Sequence, residues 1–190
     1  MKTLSLLVAF ILIALPCSAE ALAKTGQEAP SFSAMDSNGR KHALSDFLGK
    51  TVVLEWYNHE CPYVQKHYAT KNMQEMQRKY TAQGVVWLTI SSSAAGKQGH
   101  VDGPAANKLI QESGAAQTAF LLDHDGSIGR QYGARTTPHM FVIDASGRLV
   151  YSGAIDNNNS SRHSSVEGAH NYVGAALDSL LAGMPIKTSS

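Results

Sequence analysis

The stretch that decides the fold is Thr51-Val52-Val53-Leu54-Glu55-Trp56-Tyr57-Asn58-His59-Glu60-Cys61-Pro62-Tyr63-Val64. Its first seven residues are rich in β-branched and aromatic side chains and read as a buried strand. Pro62 suits the first position of a helix, where a backbone N–H would go unpaired anyway. Val64, Tyr68, Met73, Met76 and Tyr80 then carry a broadly helical apolar stripe towards Gln83. Cys61 therefore stands at a strand-to-helix junction. A side chain there meets the unpaired N–H groups of the first helical turn and the positive end of the helix dipole, and both favour a thiolate. His59 adds to that effect when protonated; Glu60 opposes it.

Outward from this junction, Gly84 ends the helix and Val85–Ile90 reads as a second buried strand. The Ser/Gly-rich loop from Ser91 to Gly103 is long enough to suggest function. Pro104 opens a helix that Gly114 closes, followed by a short strand at Ala119–Leu122, a turn at Asp123-His124-Asp125-Gly126, and a short helix to Tyr132. Met140–Ile143 and Leu149–Gly153 pair as a hairpin across Ala145-Ser146-Gly147. A polar loop covers 156–165. The last helix places Val173, Ala176, Leu177, Leu180 and Leu181 on one face, with Gly183 and Pro185 as stop signals. Upstream, residues 31–47 read as a hairpin around Asp36-Ser37-Asn38-Gly39. The alternation predicts an α/β fold: a central mixed β-sheet flanked by helices, with an N-terminal β-hairpin.

The whole chain has 190 residues, 16 Lys+Arg against 15 Asp+Glu, and a net charge of +1, which gives no footprint for nucleic acid. Its two cysteines cannot staple a scaffold or form a four-cysteine zinc site. The first, Cys17, follows Lys2 and the apolar run Leu4–Leu15, with small residues up to Ala23; this is the layout of a secretory signal peptide over residues 1–23. The run is shorter than the roughly 20 residues a membrane span needs, so no stable membrane insertion is expected after cleavage. Residues 24–190 form the expected single domain, exported to the periplasm or secreted. Cys61 is then the one remaining thiol, in a compartment where disulfides form.

Three motifs give a resemblance. Val52–Val64 is similar to the active-site stretch of the thioredoxin superfamily, nearest to its exported redoxin branch of peroxiredoxin-like (alkyl hydroperoxide reductase/thiol-specific antioxidant) proteins. Gly133-Ala134-Arg135-Thr136-Thr137-Pro138-His139-Met140-Phe141-Val142-Ile143-Asp144 resembles that family's cis-proline strand, and Ala29-Pro30-Ser31-Phe32 its opening motif. The resemblance implies a thioredoxin-like fold over about residues 26–183. It implies that Cys61 is the nucleophile, followed by Pro62, that Pro138 is a cis-proline packed opposite it, and that Thr137 offers backbone groups to a peptide or thiol. A proline at the head of a strand agrees, since it cannot donate to the sheet. Two departures stand out. Val64 occupies the second cysteine position of Cys-x-x-Cys, so no disulfide forms within the motif. Asn58 replaces the Thr/Ser that peroxiredoxins place three residues before their cysteine, and Arg135 is the nearest candidate for their arginine.

The reading that results is a one-cysteine oxidoreductase. Cys61 attacks a hydroperoxide to give a sulfenic acid, which an external thiol reductant returns to the thiol. Asn58 and Arg135 orient the peroxide, His59 and Glu60 tune the thiolate, and Pro62, Thr137, Pro138 and His139 shape the cleft. No cofactor is implied. One alternative is mixed-disulfide exchange with a protein thiol. Another is a copper- or zinc-binding module using Cys61, His59 and His139, a thin ligand set. His42, His67, His100, His124, His163 and His170 read as surface, and Trp56 and Trp87 as core.

Overall fold

The computed structural model describes residues 22–187. Cys17 and all but the last two residues of the expected signal peptide lie outside them. No helix among the described residues is long and apolar enough to cross a membrane.

A seven-stranded mixed sheet organises the chain. Its strands are β1 (Ser33–Asp36), β2 (Lys41–Ala43), β3 (Val52–Trp56), β4 (Val86–Ser91), β5 (Ala119–Leu122), β6 (His139–Ile143) and β7 (Leu149–Gly153). They lie in the order β2-β1-β5-β4-β3-β6-β7. The central β5, β4 and β3 run parallel; β1 and β2 on one side and β6 and β7 on the other are antiparallel. The helices are α1 (Pro62–Ala69), α2 (Asn72–Thr81), α3 (Gly103–Ser113), α4 (Ser127–Tyr132) and α5 (Tyr172–Leu181).

Side chains alternate across a strand, so one apolar run feeds two cores. From β3, Val52, Leu54 and Trp56 join Leu88, Ile90, Phe141 and Ile143 on one face. Val53 points to the other face, where Trp87, Met140 and Val142 meet Met73, Met76 and Tyr80 of α2 and Val173, Ala176 and Leu177 of α5. A third cluster, Tyr57, Val64, Val101, Ala106 and Phe120, sits at the carboxyl ends of the parallel strands, and Cys61 packs against it. That end of a parallel sheet is where α/β folds place ligands.

The continuous helix expected from Pro62 to Gln83 is two helices. Lys71 takes a left-handed conformation (φ 64°) and breaks the run after Thr70. The break has a packing cause. α1 buries Val64, Lys66 and His67, whereas α2 buries Met73, Met76 and Tyr80 in the core shared with α5. One straight helix would not serve both surfaces.

Candidate functional site

Sheet topology assembles the site. β3 and β6 are antiparallel with Trp56 opposite His139, so the residues after Trp56 meet those before His139. The chain leaves β3, turns through Asn58–Glu60, and enters α1 with Cys61 at the N-cap and Pro62 inside the first turn. The Cys61 N–H donates to the Asn58 carbonyl at 3.1 Å, and the Cys61 carbonyl accepts from Val64 and Gln65 at 3.0 and 2.9 Å. The Thr137–Pro138 peptide bond is cis. The half-buried Cys61 thiol donates to the Thr137 carbonyl at 3.0 Å, across 76 residues of sequence.

Behind the thiol, Val64 is 1% exposed. The position where a second cysteine would stand is thus sealed in the core beside Tyr57, Val101 and Phe120. Pro62 and Tyr63 are exposed at the mouth.

The turn before Cys61 is latched to the Ser/Gly-rich loop. Asn58 Oδ1 accepts from the Glu60 N–H at 2.9 Å, and Glu60 Oε2 accepts from the Gly99 N–H at 2.7 Å. Gly99 has φ +77°, and a Cβ there would lie 2.3 Å from Asn58 Oδ1. Only glycine fits this approach. The loop is anchored at its start as well: Trp56 Nε1 donates to Ser92 Oγ at 3.0 Å, and Ser92 donates to Asp123 at 2.5 Å.

Asn58 therefore spends its side-chain oxygen inside the turn. Arg135 lies on the exposed approach to Thr137, and no hydrogen bond or ion pair joins it to Cys61 among the described residues. Its charge reaches His139, whose imidazole is pushed down from 6.5 first by burial and then by Arg135, and so is neutral near pH 7. His139 Nε2 lies 3.4 Å from Ser152 Oγ. Among the described residues, the buried Nδ1 atoms of His139 and His59 have no hydrogen-bond partner. Among the described residues no group of three or more His, Cys, Asp or Glu side chains is arranged to hold a metal ion.

Two histidines expected on the surface are buried. His42 pairs with Asp36 at 2.9 Å, which fixes the N-terminal hairpin. His67 is 1% exposed; its Nε2 lies 3.7 Å from Asp156 and its Nδ1 2.8 Å from the Asn72 amide. Beside it, Lys66 Nζ donates to the Asn158 carbonyl at 2.9 Å and lies 3.7 Å from Asp156 Oδ1. Burial lowers the His67 imidazole to about 4, and it is uncharged at neutral pH.

Under the site, on the α2 face of β3, lies Glu55, fully buried. Four neutral donors hold it: Tyr68 Oη and Trp87 Nε1 at 2.8 Å, and Gln77 Nε2 and Thr89 Oγ1 at 3.2 Å. Desolvation dominates and pushes its carboxyl above the usual range, against the opposing hydrogen bonds. Sequence reasoning passed over Glu55, although a single carboxylate inside VVLEWY was a visible anomaly.

With this geometry in place, the comparison with known proteins is direct. The AhpC/TSA family model matches residues 25–152. The chain belongs to the AhpC/TSA family. Among curated relatives of this AhpC/TSA protein is Thiol-disulfide oxidoreductase ResA from Bacillus cereus (strain ATCC 10987 / NRS 248). It is 29% identical over 133 residues, which cover 70% of this chain and 71% of that one. An uncharacterized conserved protein from Geobacillus kaustophilus superposes with a TM-score of 0.74 at 23% identity, over 87% of this chain and 86% of that one. The thioredoxin domain of a thiol-disulfide oxidoreductase from Bacteroides vulgatus gives a TM-score of 0.56 at 20% identity, over 76% and 96%. The fold of this AhpC/TSA chain is thioredoxin-like, as its motifs imply.

Proposed function

We propose that this protein is an exported thiol-disulfide oxidoreductase that works through one sulfur. Cys61 forms a mixed disulfide with a partner protein, and a second thiol from outside resolves it. The observation that carries the reading is the pairing of a half-exposed Cys61 at a helix start with a sealed Val64 at the resolving position. The likeness to a thiol-disulfide oxidoreductase supports the reaction class. The N-terminal segment supports export to the periplasm or beyond. Electrons move between sulfurs, so the chemistry needs no cofactor.

The test is to expose the purified protein to a disulfide, then look for a mixed disulfide on Cys61 that an added thiol releases. Cys61→Ser should form none. A Cys61 that stays a free thiol towards every disulfide offered would overturn the reading.

Peroxide reduction is the second reading, favoured by membership of the AhpC/TSA family. In it Cys61 passes through a sulfenic acid, with Asn58 and Arg135 as the orienting groups. The site supplies little to single out a peroxide: Asn58 Oδ1 already accepts from Glu60, and Arg135 faces solvent. A sulfenic-acid trap after peroxide treatment decides it. Unmodified Cys61, or peroxide consumption as fast in Cys61→Ser, excludes it.

A further inference from the structure

Two histidines away from the thiol meet at the carboxyl ends of the parallel strands. His100 lies in the loop after β4 and His124 in the turn after β5. Their ring centres are 4.7 Å apart and their planes are tilted by 52°. Both residues are half-buried. Each ring is anchored through one nitrogen to a backbone carbonyl of the 92–102 loop. His100 Nδ1 donates to the Ser93 carbonyl and His124 Nε2 to the Val101 carbonyl, both at 2.9 Å.

A carbonyl only accepts, so these bonds fix the tautomers. The neutral His100 ring carries its lone pair on Nε2, and the neutral His124 ring on Nδ1. Neither of those nitrogens has a hydrogen-bond partner among the described residues. A ring whose far N–H is held by a carbonyl is the usual arrangement of a metal-ligating histidine, because the bond orients the ring and raises the basicity of the lone pair. The spacing agrees. Two imidazoles bound to one metal at about 2.1 Å, with about 90–110° between them, hold their ring centres roughly 4.6–5.3 Å apart.

The carboxylates nearest in sequence have their bonds elsewhere. Asp102 caps α3 through the Ala105 N–H. Asp123 accepts from Ser92, Ile128 and Gly129, and Asp125 accepts from Ser127. A pair of imidazole nitrogens suits a borderline ion such as Zn²⁺ or Cu²⁺; Mg²⁺ and Ca²⁺ require oxygen.

We infer that His100 Nε2 and His124 Nδ1 form a two-nitrogen site for a borderline divalent transition metal, with water completing its coordination. The bound ion clips the 92–102 loop to the turn between β5 and α4. The clip reaches the thiol from behind. Gly99, next to His100, holds the Glu60 carboxylate, and Val101 packs in the cluster that Cys61 touches. The site shares no ligand with Cys61, His59 or His139 and is independent of which reaction the thiol performs.

The test is a calorimetric titration of the untagged Cys61→Ser protein, which removes the thiolate as a competing ligand. ZnCl₂ should bind with one ion per chain, and MgCl₂ should give no binding heat. His100→Gln and His124→Gln should each weaken zinc binding roughly tenfold or more, since each removes one of two protein ligands. His163→Gln, at an exposed residue of the polar loop, should leave it unchanged. Limited proteolysis gives a second readout. With Zn²⁺ at about a hundred times its Kd, cleavage within 92–102 should slow by about a hundredfold, because opening the loop breaks the pair. A third readout needs no histidine variant: in the Cys61→Ser protein, trace Cu²⁺ should broaden the imidazole resonances of His100 and His124 before those of any other histidine. Zinc affinity untouched by either glutamine substitution, Mg²⁺ binding of similar strength, a loop cut as fast with zinc as without, or another histidine broadening first would overturn the inference.

Discussion

Replacing Val64 with cysteine puts a second sulfur at the third residue of α1, three positions after Cys61. Three residues along a helix start span a Cα separation of about 5 Å, within the range a disulfide bridges. Val64 is 1% exposed and packs in the cluster that Cys61 also touches, so the new thiol faces inward beside the old one. Exchanging two methyls for one sulfur gives up burial worth ~0.8 kcal/mol, and the reduced variant should be less stable than wild type by about that much. Closing a four-residue loop restricts the unfolded chain by about 2 kcal/mol. The oxidised variant should therefore exceed the wild type by about 1 kcal/mol and the reduced variant by about 2 kcal/mol. For a domain of this size that gap is roughly 4–8 °C in Tm. Paired melting curves with and without a reductant measure it, and alkylation followed by mass spectrometry counts the free thiols. The oxidised variant should also stop accumulating mixed disulfides on Cys61. If both thiols alkylate freely in air and the two melting curves coincide, position 64 does not face Cys61, and the case for an external resolving thiol loses its structural basis.

Glu55→Gln tests the buried carboxyl. Its carboxyl is raised in the fold, so the folded state resists ionisation that the unfolded chain undergoes near 4.5; wild-type stability falls as pH climbs from there through the raised value. The variant lacks that slope, and its urea midpoint should gain on the wild type as pH climbs above about 4.5. His67 acts with the opposite sign. Lowered to about 4 from 6.5, it leaves the unfolded state holding an extra proton between those values, so stability should drop as pH falls through that window. His67→Gln should flatten that part of the curve. Gly99→Ala forces a left-handed alanine into the Asn58 side chain; it should cost roughly 1–3 kcal/mol and open the 92–102 loop to limited proteolysis.

The sheet and the thiol site were legible because their signals are local. Five β-branched and aromatic residues within Thr51–Tyr57, and Cys61-Pro62 a turn later, specify strand, junction and helix start without help from distant parts of the chain. The proline before β6 announced a special bond, and Thr137–Pro138 is cis. What escaped was tertiary. Tyr68 and Met73 continue one apolar stripe on paper, and nothing nearby says that Lys71 turns left-handed between them. Lys66 and His67 look like solvated helix residues until Asp156, ninety positions on by Lys66's count, arrives to bury them. His42 was hidden in the same way by Asp36, although that partner is only six residues away.

These buried pairs bear on how a single-thiol protein keeps its site open. Val64 closes the inner approach to Cys61, and the Glu60–Gly99 latch fixes the loop on one side. The open approach lies along Thr137–Pro138 and the groove between Tyr63 and the 154–159 segment. Its far wall is held by Lys66, on the same helix that carries Cys61 at its N-cap. α1 therefore carries both the thiol and the cation that holds the 154–159 segment, so a partner lying along that segment meets the sulfur in a fixed orientation. On the mixed-disulfide reading, no second thiol among the described residues competes for release, and the lifetime of the adduct is set by the outside thiol's concentration and its access along that same open side.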